Sequence, residues 1–321
     1  LVEPGKLFHE NYAYFSSTSA GMQMHFRDFA GQVFEHLGQR PDPFVVEIGS
    51  NDGIMLRNFS QKGVRHLGIE PSENVARQAI RNGVNTTCRF FDRQFAEEIR
   101  SEHGPADAIF AANVITHVPD VHSLFGGVAL LLRDDGLFMF EEPYLGDIVE
   151  KTAYDQFYDE HFFYFSLSAL NSILSRHGLQ AVNVIPQPVH GGSIRYVIAK
   201  EGSRPVDPAV AEMMARELSL GLTRQSTFGQ LKGRIEESRD QLTVLLKELK
   251  DTGKSVVGYG ATSKSTTMTN YCGIGPDLID FISDTTPTKQ GKYSPGTHIP
   301  VLPYERFCER YPDYALLLAW N

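Results

Sequence analysis

The segment YDQFYDEHFFYFS, residues 154–166, sets Tyr158, Glu160 and His161 close together among aromatic rings. An imidazole titrates near neutrality, so beside a carboxylate and a phenol in water-poor surroundings it suits proton transfer. The same residues also suit a half-buried loop edge with a satisfied polar tip. The local sequence leaves both readings open.

A second cluster sits in VVEIGSNDG, where Glu47, Gly49, Asn51, Asp52 and Gly53 follow an apolar run. The carboxyl end of a strand is where open α/β sheets bind ligands. Gly49 lets the backbone approach a ligand closely. A carboxylate at Glu47 or Asp52 suits a cationic amino-acid moiety or a sulfonium better than a pyrophosphate. The turn also lacks GxGxxG, which argues against a dinucleotide. Glu70 ends the next apolar run, where an acidic side chain can take both ribose hydroxyls. These features point to S-adenosylmethionine, with Asn113 at the end of a later run joining the expected cofactor set. An ordinary strand–turn–helix junction is the alternative.

A third cluster is GYGATSK, with Gly258, Gly260, Ser263 and Lys264 at an expected strand–helix junction. Backbone N–H groups and a cation there favour phosphate. Arg195, Lys289 and Lys292 are further candidate phosphate cations, each equally readable as a solvated surface charge.

The elements that must position these residues alternate. SSTS opens a helix over residues 16–40, with Met22, Phe26, Phe29, Val33, Phe34 and Leu37 at helical spacing, ended by PDP. PFVVEIGSNDG, HLGIEPS, ADAIFAANV and LFMFEEP read as buried strands. LRNFSQKG, ENVARQAIRNG, residues 93–102 and VHSLFGGVALLLRDDG read as helices, with a weak strand over 85–90. Such alternation implies a parallel sheet with helices on both faces. Ser166 then caps a helix, LSALNSILSRHG, that stops at Gly178. LQAVNVIPQPV and SIRYVIAK follow as two strands joined by a HGG turn, an antiparallel hairpin. A parallel sheet closed by such a hairpin is the layout of the class I methyltransferase fold. A charged helical stretch comes next, and a second Rossmann-like α/β unit begins at KSVVGYG. The expected domains are a lead segment and helix over 1–40, a cofactor-binding methyltransferase domain over 41–202, and a nucleotide-binding α/β domain over 203–321.

The bounds agree with a soluble enzyme. A chain of 321 residues exceeds one ordinary core. Its net charge of -9 argues against a nucleic-acid surface. No apolar run spans a bilayer and no signal-peptide pattern opens the chain, so no membrane is expected. The cysteines, Cys88, Cys272 and Cys308, have neither metal spacing nor a disulfide framework, which fits a reducing cytoplasm. The start at Leu1 and the finish at LLLAWN read as cut or disordered ends.

EIGSNDG, GIEPSENVA, ANVITHVPD, YDEHFFYFS, HGGSIR and GYGATSKSTTMTNYCG, in this order, resemble the nucleotide-sugar C-methyltransferases. The resemblance implies bacterial enzymes that methylate a ring carbon, C3, of 4-keto deoxysugars. By resemblance the family's active-site residues fall on Tyr14, His117, Tyr158, Glu160 and His161. Asp159 departs from the histidine that many relatives carry. The resemblance implies a zinc-binding domain with paired cysteines near the family's N-terminus. This chain has no such pairs, so no metal is expected in it, and zinc would enter only with a domain upstream of Leu1. The expected partner is a nucleotide diphosphate 4-keto sugar, and the expected state is a monomer. Carbon methylation needs an enolate, which makes His161 the expected base and Tyr158 and His117 the expected donors, with Glu160 orienting and Tyr14 closing the site. Rival readings are a methyltransferase of oxygen or nitrogen, a nicotinamide-dependent oxidoreductase, and a non-catalytic nucleotide-sugar-binding protein.

Overall fold

A computed structural model describes residues 1–12 and 14–320. The chain divides into two compact units that interleave in sequence. The first comprises residues 1–144, 160–187 and 192–219; the second comprises 145–159, 188–191 and 220–321.

The first unit opens with the short helix α1 (Pro4–Leu7) and then α2 (Ala20–Leu37). Ser19 caps α2 by accepting the Met22 N–H at 3.3 Å, and Gly38 ends it at φ 55°. β1 (Phe44–Ile48), α3 (Arg57–Ser60), β2 (Arg65–Ile69), α4 (Glu73–Arg81), β3 (Thr86–Thr87), α5 (Arg93–His103), β4 (Ala106–Ala112), α6 (Val121–Leu131) and β5 (Leu132–Pro143) follow in alternation. Asp92 and Asp120 cap α5 and α6 through the N–H groups of Phe95 and Ser123. After α7 (Leu145–Lys151), which belongs to the second unit, come α8 (Leu167–Leu174), β6 (Leu179–Gln187), β7 (Ser193–Lys200) and α9 (Pro208–Leu220). Ser166 caps α8, and Gly178 sits in the left-handed region before β6.

The strands form one seven-stranded sheet, ordered β3-β2-β1-β4-β5-β7-β6. β7 runs antiparallel to both β5 and β6, and the other pairings are parallel. The hairpin expected from LQAVNVIPQPV and SIRYVIAK is therefore present and closes the sheet. Neighbouring β1 residues feed opposite cores: Val46 and Ile48 pack with Phe138 and Phe140, while Val45 packs with Phe29, Phe59 and Phe110. Burial on both faces explains why these strands read as continuous apolar runs. The parallel order reverses direction around β1 and β4, so the carboxyl ends of these strands frame the crevice where ligands bind.

The second unit contains α10 (Gln225–Asp251), β8 (Val256–Tyr259), α11 (Ser263–Cys272), β9 (Ile282–Ser283), β10 (Val301–Leu302), α12 (Tyr304–Glu309) and β11 (Tyr314–Leu317). Its strands form an all-parallel sheet ordered β10-β9-β8-β11. Leu246, Val256, Ile279, Ile282 and Leu318 build its core. β9, in LIDFISD, and β10, which begins at the last residue of PGTHIPV, are only two residues long each. Among the described residues no helix is long and apolar enough to cross a membrane.

Candidate active site

The end of β1 is shaped by backbone that few side chains tolerate. Gly49 has φ 69°, and a Cβ there would run into the Val114 side chain. Asn51 and Asn113 also have positive φ, at 46° and 56°. Non-glycine residues held in this region are strained and collect at ligand clamps. The Asn113 N–H is anchored on the Glu141 carbonyl at 2.8 Å.

Three carboxylates lie buried around this turn: Glu47, Asp52 and Glu70. Glu70 Oε2 accepts the Asn51 N–H at 3.0 Å and Oε1 accepts the Ser72 N–H at 2.8 Å. Burial nonetheless holds its carboxyl above the usual range, and it pushes Glu47 well above it. Among the described residues, Glu47 Oε2, Asp52 Oδ1, Ser50 Oγ, Ser72 Oγ and Asn74 Oδ1 are buried without a hydrogen-bond partner. Buried polar atoms are seldom orphaned, so this cluster calls for a polar ligand. An amino-acid head group and a ribose diol, as in S-adenosylmethionine, fit such a donor and acceptor set. The cofactor residues read from sequence, Glu47, Gly49, Asn51, Asp52, Glu70 and Asn113, thus lie at the carboxyl ends of β1, β2 and β4.

The N-terminal segment folds over the same turn. The Ser17 hydroxyl donates to Asp52, the Ser16 N–H to Asn51 Oδ1 at 2.8 Å, and Asn51 Nδ2 to the Tyr14 carbonyl at 3.2 Å. Asn74 Nδ2 donates to the Tyr12 carbonyl at 2.8 Å. Tyr14 is expected from sequence to close the catalytic site, but its side chain is 51% exposed and its carbonyl serves the cofactor turn. Tyr12 takes the inward position. Burial, then the charges of Glu160 and Glu70, hold its phenol well above its ordinary range. Tyr12 therefore stays protonated at neutrality, as a donor within electrostatic reach of both carboxylates. Its ring packs 5.2 Å from Phe8, whose ring meets His117 edge-on at 5.4 Å.

His117 ends a 3₁₀ turn, Ile115–His117, that follows β4. Its ring stands edge-on to His161 at 4.7 Å, and Tyr164 packs 5.4 Å from His161 on another side. His161 is 9% exposed. His117, Glu160 and His161 each bring one ligand-type atom within 4.8 Å of the others. That grouping has the composition of a proton-transfer cluster and equally of a divalent-cation site. His117 Nδ1 lies 3.2 Å from the Glu160 carbonyl. A carbonyl only accepts, so Nδ1 carries the proton and the neutral ring leaves Nε2 as an acceptor. Burial pushes the His117 pKa down to about 4. The donor role expected for His117 is thus corrected: a ring neutral across the working range and protonated on Nδ1 presents a lone pair.

Glu142, at the end of β5, was not singled out by its sequence. It is fully buried, and Oε1 accepts the N–H groups of Val114 and Ile115 at 2.8 and 2.6 Å and, more weakly, of Thr116 at 3.4 Å. Oε2 accepts the Thr116 hydroxyl at 3.1 Å. Burial pushes its pKa up to about 7 against the pull of these donors. The signal in the sequence was two adjacent carboxylates, EEP, closing an apolar strand.

The neighbouring Glu141 faces the other core and explains Arg195. These residues are directly opposite in the β5–β7 register. Arg195 is 1% exposed and donates from Nε and Nη2 to Glu141 Oε2 at 3.1 and 2.7 Å, and from Nη1 to Gln32 at 2.8 Å. His25 reaches Glu141 Oε1 at 2.7 Å, and Phe29 lies under the guanidinium at 3.9 Å. The expectation that Arg195 meets a phosphate is corrected, because its donors are committed inside the first unit.

The remaining candidates belong to the second unit. Tyr158 is half-buried there, one residue before the unit's boundary at Asp159. Gly260 has φ 95° at the turn after β8, and a Cβ would press on Ala319. Thr262 caps α11 through the Ser265 N–H, and Ser263 is exposed. Lys289 reaches the same turn, donating to the Ala261 carbonyl at 2.8 Å and pairing with Asp284 at 3.3 Å. Lys264 turns inward instead: its ammonium lies 5.7 Å over the Trp320 ring, and burial lowers its pKa. Trp320 Nε1 donates to Asp155 at 2.6 Å.

A seven-stranded sheet of this order, with an acidic glycine turn after β1 and an acidic residue after β2, defines a class I S-adenosylmethionine-dependent methyltransferase. Residues 5–184 match the methyltransferase domain family, and residues 188–321 match the C-methyltransferase C-terminal domain. Over its whole length the chain is 39% identical to the C-methyltransferase NovU of Streptomyces niveus and covers 76% of that protein. It is 24% identical to the ubiquinone biosynthesis O-methyltransferase of Salmonella paratyphi A, over 34% of this chain and 46% of that one. The solved magnesium protoporphyrin IX methyltransferase of Synechocystis PCC 6803 with bound SAM aligns with a TM-score of 0.42 at 13% identity, over 57% of this chain and 80% of that one. The chain belongs to the C-methyltransferase family of NovU.

Proposed function

We propose that the protein methylates a ring carbon, C3, of a 4-keto deoxy nucleotide sugar through an enolate. The observation that carries this reading is the convergence of His117, Glu160 and His161, with a half-buried, protonated Tyr12 whose phenol feels the Glu160 charge. A ring carbon has no lone pair, and it becomes nucleophilic only after a proton is lost next to a ketone. When bound, S-adenosylmethionine supplies an electrophilic methyl group on its sulfonium. The residues around Gly49 and Glu70 hold it.

His161 is the proposed base. His117 is a poor rival, because a ring with a pKa of about 4 holds an abstracted proton weakly. Its Nε2 suits a sugar hydroxyl instead. Tyr12 donates to the developing enolate oxygen, and Glu160 orients its neighbours. Such donors are worth most where water is excluded. Tyr158 stays in the set on its motif alone. Recognition of the nucleotide diphosphate is assigned to the second unit, at the turn formed by Gly260, Ser263 and Lys289, with Lys264 supporting that turn from within. The enzyme acts as a monomer in the cytoplasm.

Incubating a panel of 4-keto nucleotide sugars with S-adenosylmethionine tests the reading by mass spectrometry and NMR. A new carbon–methyl bond is expected. A methyl ether or N-methyl product would replace this reading with heteroatom transfer.

A further inference from the structure

The loop that carries His117 hangs on one buried carboxylate, that of Glu142. Glu142 gathers successive N–H groups of residues 114–116 on one oxygen and the Thr116 hydroxyl on the other. His117 is the next residue. The Thr116 carbonyl in turn accepts the Phe162 N–H at 2.8 Å, and His117 Nδ1 donates to the Glu160 carbonyl. One fully buried side chain therefore registers both chain segments that supply the cluster. A buried acceptor of this kind has no water to replace it, so its geometry is passed on to what it holds.

We infer that Glu142 is a positioning residue for methyl transfer: it fixes the 114–117 loop so that His117 keeps its Nδ1–H on the Glu160 carbonyl and aims Nε2 at the acceptor. This rests on the proposed role of His117 in acceptor binding. An apolar or merely space-filling residue would close the core as well. The three N–H groups would then be orphaned, and the loop would move to find other acceptors.

The test is a double-mutant cycle of Glu142→Leu and His117→Ala in the full chain. The substrate is whichever 4-keto nucleotide sugar the wild type methylates, with S-adenosylmethionine affinity measured by calorimetry. The Glu142 variant is made as Glu142→Leu beside Glu142→Gln, because only Leu removes the acceptor that the three N–H groups share. Glu142→Leu is expected to lower kcat by ten- to hundredfold and to leave cofactor Kd within twofold, while Glu142→Gln, which keeps one acceptor oxygen, should lose less than Leu. In the His117→Ala background Glu142→Leu should lower kcat less than threefold further. Histidine 15N spectra should show His117 as the Nδ1–H tautomer in the wild type and as a tautomer mixture in Glu142→Leu. Where Glu142→Leu fails to fold, Thr116→Val removes only the second contact and is expected to show the same pattern at smaller amplitude. An unchanged kcat and tautomer in the folded variant would overturn the inference, as would the same fold-loss with and without His117. Full activity of His117→Ala alone would instead remove the site reading on which it rests.

Discussion

Glu70 gives the sharpest prediction for cofactor binding. Each of its oxygens accepts one backbone N–H, from Asn51 and Ser72, and each keeps a lone pair. A ribose diol would donate to those lone pairs. A hydrogen bond to a charged group is worth about 1.5–3 kcal/mol, so losing it weakens binding by about 10- to 150-fold. Glu70→Gln is the clean perturbation, because the amide keeps one acceptor oxygen for the backbone. Glu70→Ala orphans both N–H groups and mixes folding with binding. The pH dependence has a defined sign. Burial raises the Glu70 carboxyl, and the ionised form is the better acceptor. Wild-type affinity should therefore fall as pH drops through that raised value, while Glu70→Gln stays flat. Isothermal calorimetry with S-adenosylmethionine measures both. A folded Glu70→Gln protein that bound the cofactor within twofold of wild type would refute the ribose assignment.

Glu47→Gln should stabilise the ligand-free protein near neutrality. The folded Glu47 carboxyl is raised, so wild-type stability falls as pH rises from the unfolded value toward the folded one, by up to about 1.4 kcal/mol per pH unit. Thermal melts from pH 4 to 8 should show a gap that opens with rising pH, and no gap would show that Glu47 is not the titrating group. Arg195→Met leaves Glu141 buried without its main cation and should cost about 3–5 kcal/mol in denaturant melts; weaker nucleotide binding at unchanged stability would return Arg195 to a ligand role. Dialysis against EDTA should leave methyl transfer unchanged, because His117, Glu160 and His161 are read as a proton-transfer set, and loss restored by a divalent cation would make them metal ligands instead.

The sheet was legible because its signals are local. Apolar runs, the cap at Ser166, and the HGG turn between two β-rich strands each fix an element without knowledge of its neighbours. The glycine turn was legible for the same reason. What failed depends on pairing. Arg195 is a lone cation in an apolar strand, and only the β5–β7 register puts it opposite Glu141. In NYAYFSS, Tyr12 and Tyr14 are equally good candidates until the chain direction over Asn51 and Asn74 decides which faces in. Glu142 differs from Glu141 only by the alternation of the strand, which sends one toward Arg195 and the other toward the His117 loop. The tautomer of His117 follows from a carbonyl contributed by residue 160, far away in sequence. The interleaving of 145–159 and 188–191 with the second unit likewise has no local signal, because the segments are short and carry no domain-boundary composition.

The central claim is that His161 removes a proton from the ring carbon that receives the methyl group. Solvent exchange measures that step without a methyl donor: the acceptor is incubated with enzyme in deuterated water, and uptake at the carbon next to the ketone is followed by NMR. Wild type should catalyse uptake. His161→Asn should bind the cofactor normally and lose uptake and methyl transfer together, by about two to four orders of magnitude. Normal uptake in His161→Asn would contradict the account and move the base to another member of the cluster.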